Sequence, residues 1–171
     1  MSSRLSDIII GKMPLITSLL LIVTLVLCGA YAGLALMCQI GVLPAMRQLR
    51  PNAYADAWRA MDGYMDRNMP PFKVSLLLLN LAACGVLIAD HRQALATCCA
   101  ISFVLSLAGL VLTIRKQLPL NTMLKTLPAG TPDHVLVRIR EQTVRNFSVR
   151  FVLASLAFIT LSVGVIVWPV Y

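Results

Sequence analysis

From Met13 to Met46 the chain carries no charged side chain; the next charge is Arg47. A bilayer core about 30 Å thick is crossed by roughly 20 apolar residues in helical form. A helix over this run therefore crosses a membrane and projects beyond it. Three further apolar runs follow, over 72–89, 93–114 and 150–168. The pattern predicts one all-α domain over 1–171, an integral membrane four-helix bundle, multi-pass, with the lipid bilayer as its first partner. The short link Asp90-His91-Arg92 makes the second and third spans a tight antiparallel hairpin.

At 58% hydrophobic and 13% charged residues, the composition lies outside the soluble range. The net charge of +8 invites a nucleic-acid reading. The positions of the basic residues argue against it, because they stand between apolar runs, where membrane proteins keep cytoplasmic loops. Arg4, Lys12 and Arg92 fall on one side, and the other twelve basic residues fall on the opposite side. That asymmetry predicts cytoplasmic connections over 47–71 and 115–149, both termini outside, and a bacterial inner membrane as the location. No cleavable signal peptide is expected, since the first run is too long for an h-region.

The connections carry their own signals. The polar arm over 1–12 is expected at the interface. Pro51-Asn52 reads as a helix start with Asn52 able to cap. An interfacial helix follows over 53–67. Its apolar face is Tyr54, Trp58, Met61 and Met65; Asp56, Arg59, Asp62 and Asp66 lie largely on the other side. Pro70-Pro71 is expected to stop it. Residues 117–130 read as a loop. Thr131-Pro132-Asp133 reads as a capped start for a last helix reaching Val167, broken or bent near Arg150. Glu141 is spaced to pair with Arg145 and Arg138 along that helix. Where the first and last helices run long, together with the 53–67 helix, they are expected to frame a polar antechamber.

Several chemistries are excluded by position. No Asp or Glu lies inside a span, which disfavours proton-coupled transport. His91 and His134 belong to opposite faces, about 30 Å apart, so they hold no shared haem or metal. There is no HExxH, nucleophile elbow, phosphate loop or dinucleotide fingerprint. The five cysteines form no CxxC and read as small buried hydrophobes. No cofactor or metal site is expected.

The polar candidates stand at three levels. Tyr31, Asn80, Ser102 and Ser106 either converge on a ligand or hydrogen-bond between helices. Asp62 and Asp66, with Arg59 alongside, either hold a divalent metal, act as a base, or form a solvated face with local ion pairs. Arg145 and Arg150 either bind an anionic oxygen or snorkel at the interface. Gly29-Ala30-Tyr31-Ala32-Gly33 gives a small-xxx-small packing face, or leaves room for a ligand beside Tyr31.

Certain elements in their order resemble a known family. They are Gly29-Ala30-Tyr31-Ala32-Gly33, Gly41-Val42-Leu43-Pro44, Asp66-Arg67-Asn68-Met69-Pro70, Leu118-Pro119-Leu120-Asn121, and Asn146 and Arg150 followed by Ala157-Phe158. The chain is similar to the DUF1772, or anthrone-oxygenase-like, family of small four-helix membrane proteins over nearly its whole length. The resemblance implies a four-helix bundle and, for some members, oxygenation of anthrones to anthraquinones with no established cofactor. Many relatives carry Trp and an Asn-His pair just before the last arginine. Here the segment reads Thr143-Val144-Arg145-Asn146-Phe147-Ser148-Val149-Arg150, without that imidazole.

The leading expectation is an oxygenase-like membrane protein acting on a lipophilic aromatic or polyketide-type compound. Arg150 and Asn121 would be catalytic; Tyr31, Asn80 and Arg145 would bind. The alternative is a non-enzymatic membrane module, either a partner subunit or a binder of hydrophobic molecules.

Overall fold

A computed structural model describes residues 15–128 and 130–168. The chain forms four long helical rods: α1 (Leu15–Gln48), α2 (Pro51–Ala89), α3 (Gln93–Thr126) and α4 (Asp133–Val167). Each contains a stretch long and apolar enough to cross a membrane. In order, α1 packs on α2 and α4, and α3 packs on α2 and α4, which is the square of an antiparallel bundle. The architecture is that of a small multi-pass helical membrane protein.

Buried positions recur at heptad spacing, the seam that left-handed bundles need. They are Thr17, Leu21, Thr24 and Cys28 on α1, and Leu76, Asn80, Ala83 and Leu87 on α2. Cys99 and Ser102 on α3, with Ala154, Ala157, Leu161 and Gly164 on α4, complete the seam. The outward positions of the same helices are also apolar, with Ile22, Val26, Val104, Val152 and Ile159 exposed. A helix apolar all round suits lipid, not water. Cys28, Cys38 and Cys99 are buried, and all five cysteines are free thiols.

Two glycines mark close approach. A β-carbon on Gly29 would meet the Phe158 ring at 3.0 Å, and one on Gly164 would meet the Cys98 β-carbon at 2.8 Å. Gly33 faces open space. Of the two glycines in the small-residue pattern only Gly29 makes a close contact, with Ala32 buried beside it, and the closest approach, α3 against α4 at Gly164, lies elsewhere.

Four expected boundaries are corrected. Pro70 and Pro71 do not stop the 53–67 helix, since α2 runs unbroken through both. Both prolines are exposed, so the carbonyls they leave without donors face outward, not into the core. The 53–67 segment is accordingly the outer half of α2, and its Tyr54, Ala55 and Trp58 pack into a core at the mouth of the bundle. Residues 118–126 are helical, not loop, and continue α3. At α4 the N-cap is Pro132, while the Thr131 hydroxyl bonds back to the Pro128 carbonyl. Asn52 lies inside the first turn of α2, whose N-cap is Arg50. The polar arm over 1–12 lies outside the described residues.

The helices change character at one level. α1 widens into a π turn at Cys38–Val42, and α3 does so at Thr113–Gln117. Each π turn is followed by Leu-Pro, Leu43-Pro44 and Leu118-Pro119. In each, the leucine N–H reaches the carbonyl five residues back, Cys38 or Thr113. The cause is the proline. Its ring crowds the carbonyl four residues earlier, here Ile40 or Arg115, and the preceding turn opens to relieve it.

Inside that level the Thr17 hydroxyl donates to Asp90 at 2.9 Å and marks the far end of the bundle. Lys73 stands 16 residues before Ala89, about 24 Å of helix, and so marks the near end of the apolar slab. Beyond it the rods continue into a second layer with its own core: Tyr54, Ala55, Trp58, Leu124, Leu136 and Ile139. The expected antechamber is therefore a packed layer. Arg140 pins it, donating to the Leu49 carbonyl at 2.9 Å where α1 ends.

Candidate functional site

The second layer is tied together by one polar network. Asn121 lies one turn beyond the π turn of α3, and its carbonyl oxygen accepts from Trp58 Nε1 at 3.2 Å and from Gln117 Nε2 at 2.7 Å. Its amide nitrogen donates to Asp62 Oδ1. The other Asp62 oxygen pairs with Lys125 Nζ at 2.8 Å. Asp62, Gln117 and Asn121 are all buried. Asp62 is thus not part of a solvated face. The heptad that buries Tyr54 and Trp58 brings the residue four further on to the same side, and Asn121 and Lys125 satisfy it there. Arg59 adds bonds to the Leu124 and Leu127 carbonyls at 3.1 and 3.4 Å. With Asn121 bonded at both amide ends and Asp62 engaged at both oxygens, the network holds the second layer in one register, while Gln117 Oε1 stays buried without a partner. The side chain of Asp66, its expected companion in cation binding, lies outside the described residues, and no metal-ligating cluster occurs among the described residues.

Where the two layers meet there is a cavity of about 40 Å³. Its walls are Tyr31, Leu34, Ala35 and Cys38 from α1, Met65 and Met69 from α2, and Phe147 and Arg150 from α4. The Arg150 guanidinium lies over the Phe147 ring, 4.5 Å from its centroid. Its Nε is buried without a hydrogen-bond partner. Beside the cavity, Lys73 is buried, donates to the Thr113 hydroxyl at 3.0 Å and stands 5.6 Å from the centroid of the Tyr31 ring. Among the described residues neither Lys73 nor Arg150 forms an ion pair; the pairs present are Arg47–Glu141, Arg59–Asp56 and Lys125–Asp62.

Two cations meet here, Lys73 buried and Arg150 half-buried, and neither forms an ion pair among the described residues; such desolvated charge is costly unless something supplies negative charge. The flanking rings relieve part of the cost by cation–π attraction. An anionic oxygen in the cavity would relieve more, accepting the unused Arg150 Nε–H as a charge-assisted bond.

The five site residues expected from the sequence therefore separate. Tyr31 and Arg150 share the cavity. Asn121 belongs to the network around Asp62, with both amide ends committed. Asn80 is buried in the membrane layer, donating to its own Leu76 carbonyl at 3.4 Å, with its oxygen unpartnered. Arg145 is exposed and lines an outer groove with Arg47, Arg138 and Ser148. Ser102 makes a contact of 3.8 Å to the Cys28 thiol, an interhelical role. Glu141 pairs across helices with Arg47 at 3.6 Å, and its expected partners on α4 make no ion pair with it among the described residues.

Lys73, Phe147 and the two methionines were missed as site residues. Lys73 carried one signal: like Arg150, it is the cation at the very edge of an apolar run. Comparison with known protein families, curated proteins and solved structures finds no match to this chain.

Proposed function

We propose that the chain is a membrane protein that binds a lipophilic anion of the phenolate or enolate class in the Tyr31–Arg150 cavity. The observation that carries this is the meeting of buried Lys73 and half-buried Arg150, whose Nε is enclosed, against aromatic rings at the boundary of the apolar slab, with no ion pair to either among the described residues. A lipophilic acid partitions to that depth with its oxygen at the interface and its rings in the hydrocarbon. The cavity at about 40 Å³ holds no more than a water or two, so binding requires it to enlarge. Its walls suit that, since Met65 and Met69 are flexible and polarisable and Cys38 opens a π turn.

The test compares a hydroxyanthrone with its O-methyl ethers, which cannot ionise at those oxygens, by calorimetric titration of the purified protein. The hydroxyl compound is expected to bind about tenfold or more tightly, with the difference lost in Arg150→Ala. Equal affinity for both compounds would remove the proposal.

A second reading follows the family resemblance. Stabilising the enolate of an anthrone makes its carbon electron-rich enough to react with dioxygen; one oxygen atom enters the product as the quinone carbonyl and the other leaves as water. Arg150 would hold the enolate oxygen, and the protein's part would be orientation and charge stabilisation. Asn121 has no free role here, being bonded to Asp62, Trp58 and Gln117. Oxygen consumption with an anthrone, abolished by Arg150→Ala, supports this reading; binding without consumption supports the non-enzymatic one.

A further inference from the structure

On the outer face of the second layer, α1 and α4 leave a groove of about 580 Å³, lined by Arg47, Arg138, Glu141, Arg145 and Ser148 among others. Three guanidinium groups share it with one carboxylate, and that carboxylate is drawn to Arg47. The arginines are exposed, so the groove is an open positive surface. Its floor at the membrane end is fixed, because the Ser148 hydroxyl bonds to Gln39 Oε1 at 3.0 Å and closes the α1–α4 seam.

Depth decides what this groove meets. Arg150 marks the edge of the apolar slab on α4. Ser148 and Arg145 lie two and five residues outside it, about 3 to 8 Å along the helix. The headgroup zone extends about 5 to 7 Å beyond the hydrocarbon on each side. The membrane end of the groove thus opens at headgroup level. Directly below, the outward faces of the same two helices are apolar and exposed, with Met37 and Ile40 on α1 and Val149, Val152 and Leu156 on α4. Charge above and a greasy seam below are the two halves of a phospholipid.

We infer that this groove is a binding site for an anionic phospholipid, with its phosphate held by Arg145 at headgroup level and its acyl chains laid along the α1–α4 seam. Arg138, about 18 Å along α4 from Arg150, adds positive potential from the outer end. Guanidinium forks match phosphate oxygens geometrically, which an ammonium does not, and basic pockets between membrane helices are suited to such headgroups. Arg47 stays with Glu141 and frames the outer end. This site is independent of the inner cavity and shares no lining residue with it.

The experiment is native mass spectrometry of the full chain released from mixed vesicles of phosphatidylglycerol and phosphatidylcholine. Retention of phosphatidylglycerol over phosphatidylcholine by about tenfold or more is expected. The Arg138→Ala/Arg145→Ala variant should lose that preference, and Arg150→Ala should keep it. Inorganic phosphate should not displace the lipid. Equal retention of the two lipids by the native protein overturns the proposal whatever the variants do. So does an unchanged preference in the double variant, or displacement by millimolar phosphate, which would make this a free-phosphate site.

Discussion

Lys73 of α2 donates its ammonium hydrogen to Thr113 of α3 at 3.0 Å, and Thr113 passes its own on to the Gly109 carbonyl at 2.9 Å. A buried cation is thereby fastened to the first residue of the α3 π turn. The bond joins the proline-bearing stretch of α2 to the place where α3 widens, at the level where Cys38 begins the π turn of α1. The irregularities of three helices converge on the cavity under Arg150, and π turns recur at functional sites because they trade helix regularity for a particular aim of side chain.

Lys73 is buried and forms no ion pair among the described residues, and burying a cation this way costs stability that a hydrophobe would not. Lys73→Met is therefore expected to raise the thermal midpoint in detergent, or leave it unchanged, while weakening affinity for a lipophilic anion by about tenfold or more. Thermal unfolding and titration on the same preparation check both halves. A clear fall in the midpoint would show that the ammonium is structural.

Asn121 is the hub of the second layer, so its removal strands three buried groups at once. Asn121→Ala is expected to destabilise by about 2 to 3 kcal/mol, the cost of leaving buried polar atoms unpaired. Asn121→Asp would set a second carboxylate against Asp62 and is expected to do more damage. Denaturation of the purified protein reads both, and a neutral Asn121→Ala would contradict the bonding described.

Glycine substitutions should separate close packing from open surface. Gly164→Ala puts a methyl within 2.8 Å of Cys98 and is expected to cost about 1 to 3 kcal/mol. Gly33→Ala meets nothing and should be neutral or slightly stabilising, because alanine is the better helix former. The measurement is the difference between the two midpoints.

Tyr54 lies in the second layer, outside the membrane stretch. Its phenol is pushed above the ordinary value near 10, chiefly by burial; the Thr143 hydroxyl and the Arg140 cation offset this in part, and Glu141 adds to it. A raised folded-state value means the unfolded chain releases this proton first as pH rises. Stability from this group is therefore intact below pH about 10 and declines above it, until the folded form also ionises. Unfolding followed from pH 8 to 11 should show a steeper alkaline loss for the native protein than for Tyr54→Phe.

The charge asymmetry predicts that the 90–92 turn and the connection at 127–131 face opposite compartments, with the second cytoplasmic. Single cysteines at His91 and at Pro128, both exposed, in a chain with its own cysteines replaced, should label from opposite sides of intact vesicles. Labelling of both from one side would break the topology.

The sequence by itself determined the four rods, the membrane and the gathering of cationic residues at one end, because these follow from run length, charge position and helical rise alone. It also singled out Tyr31 and Arg150, which line one cavity, since an aromatic beside small residues and an arginine against an apolar run are visible in one dimension. Only the tertiary structure decided that Asp62 is buried, that the prolines of α2 do not break it, and that Leu43-Pro44 and Leu118-Pro119 each follow a π turn. A proline's effect depends on whether its freed carbonyl faces outward or the core, and a carboxylate's on what lies opposite. Asp62 finds Asn121 59 residues away in sequence, and Lys73 finds Thr113 40 residues away. Pairings over such distances are set by how rods of nearly uniform hydropathy rotate against one another, and that rotation is fixed by side-chain fit, which local pattern does not encode.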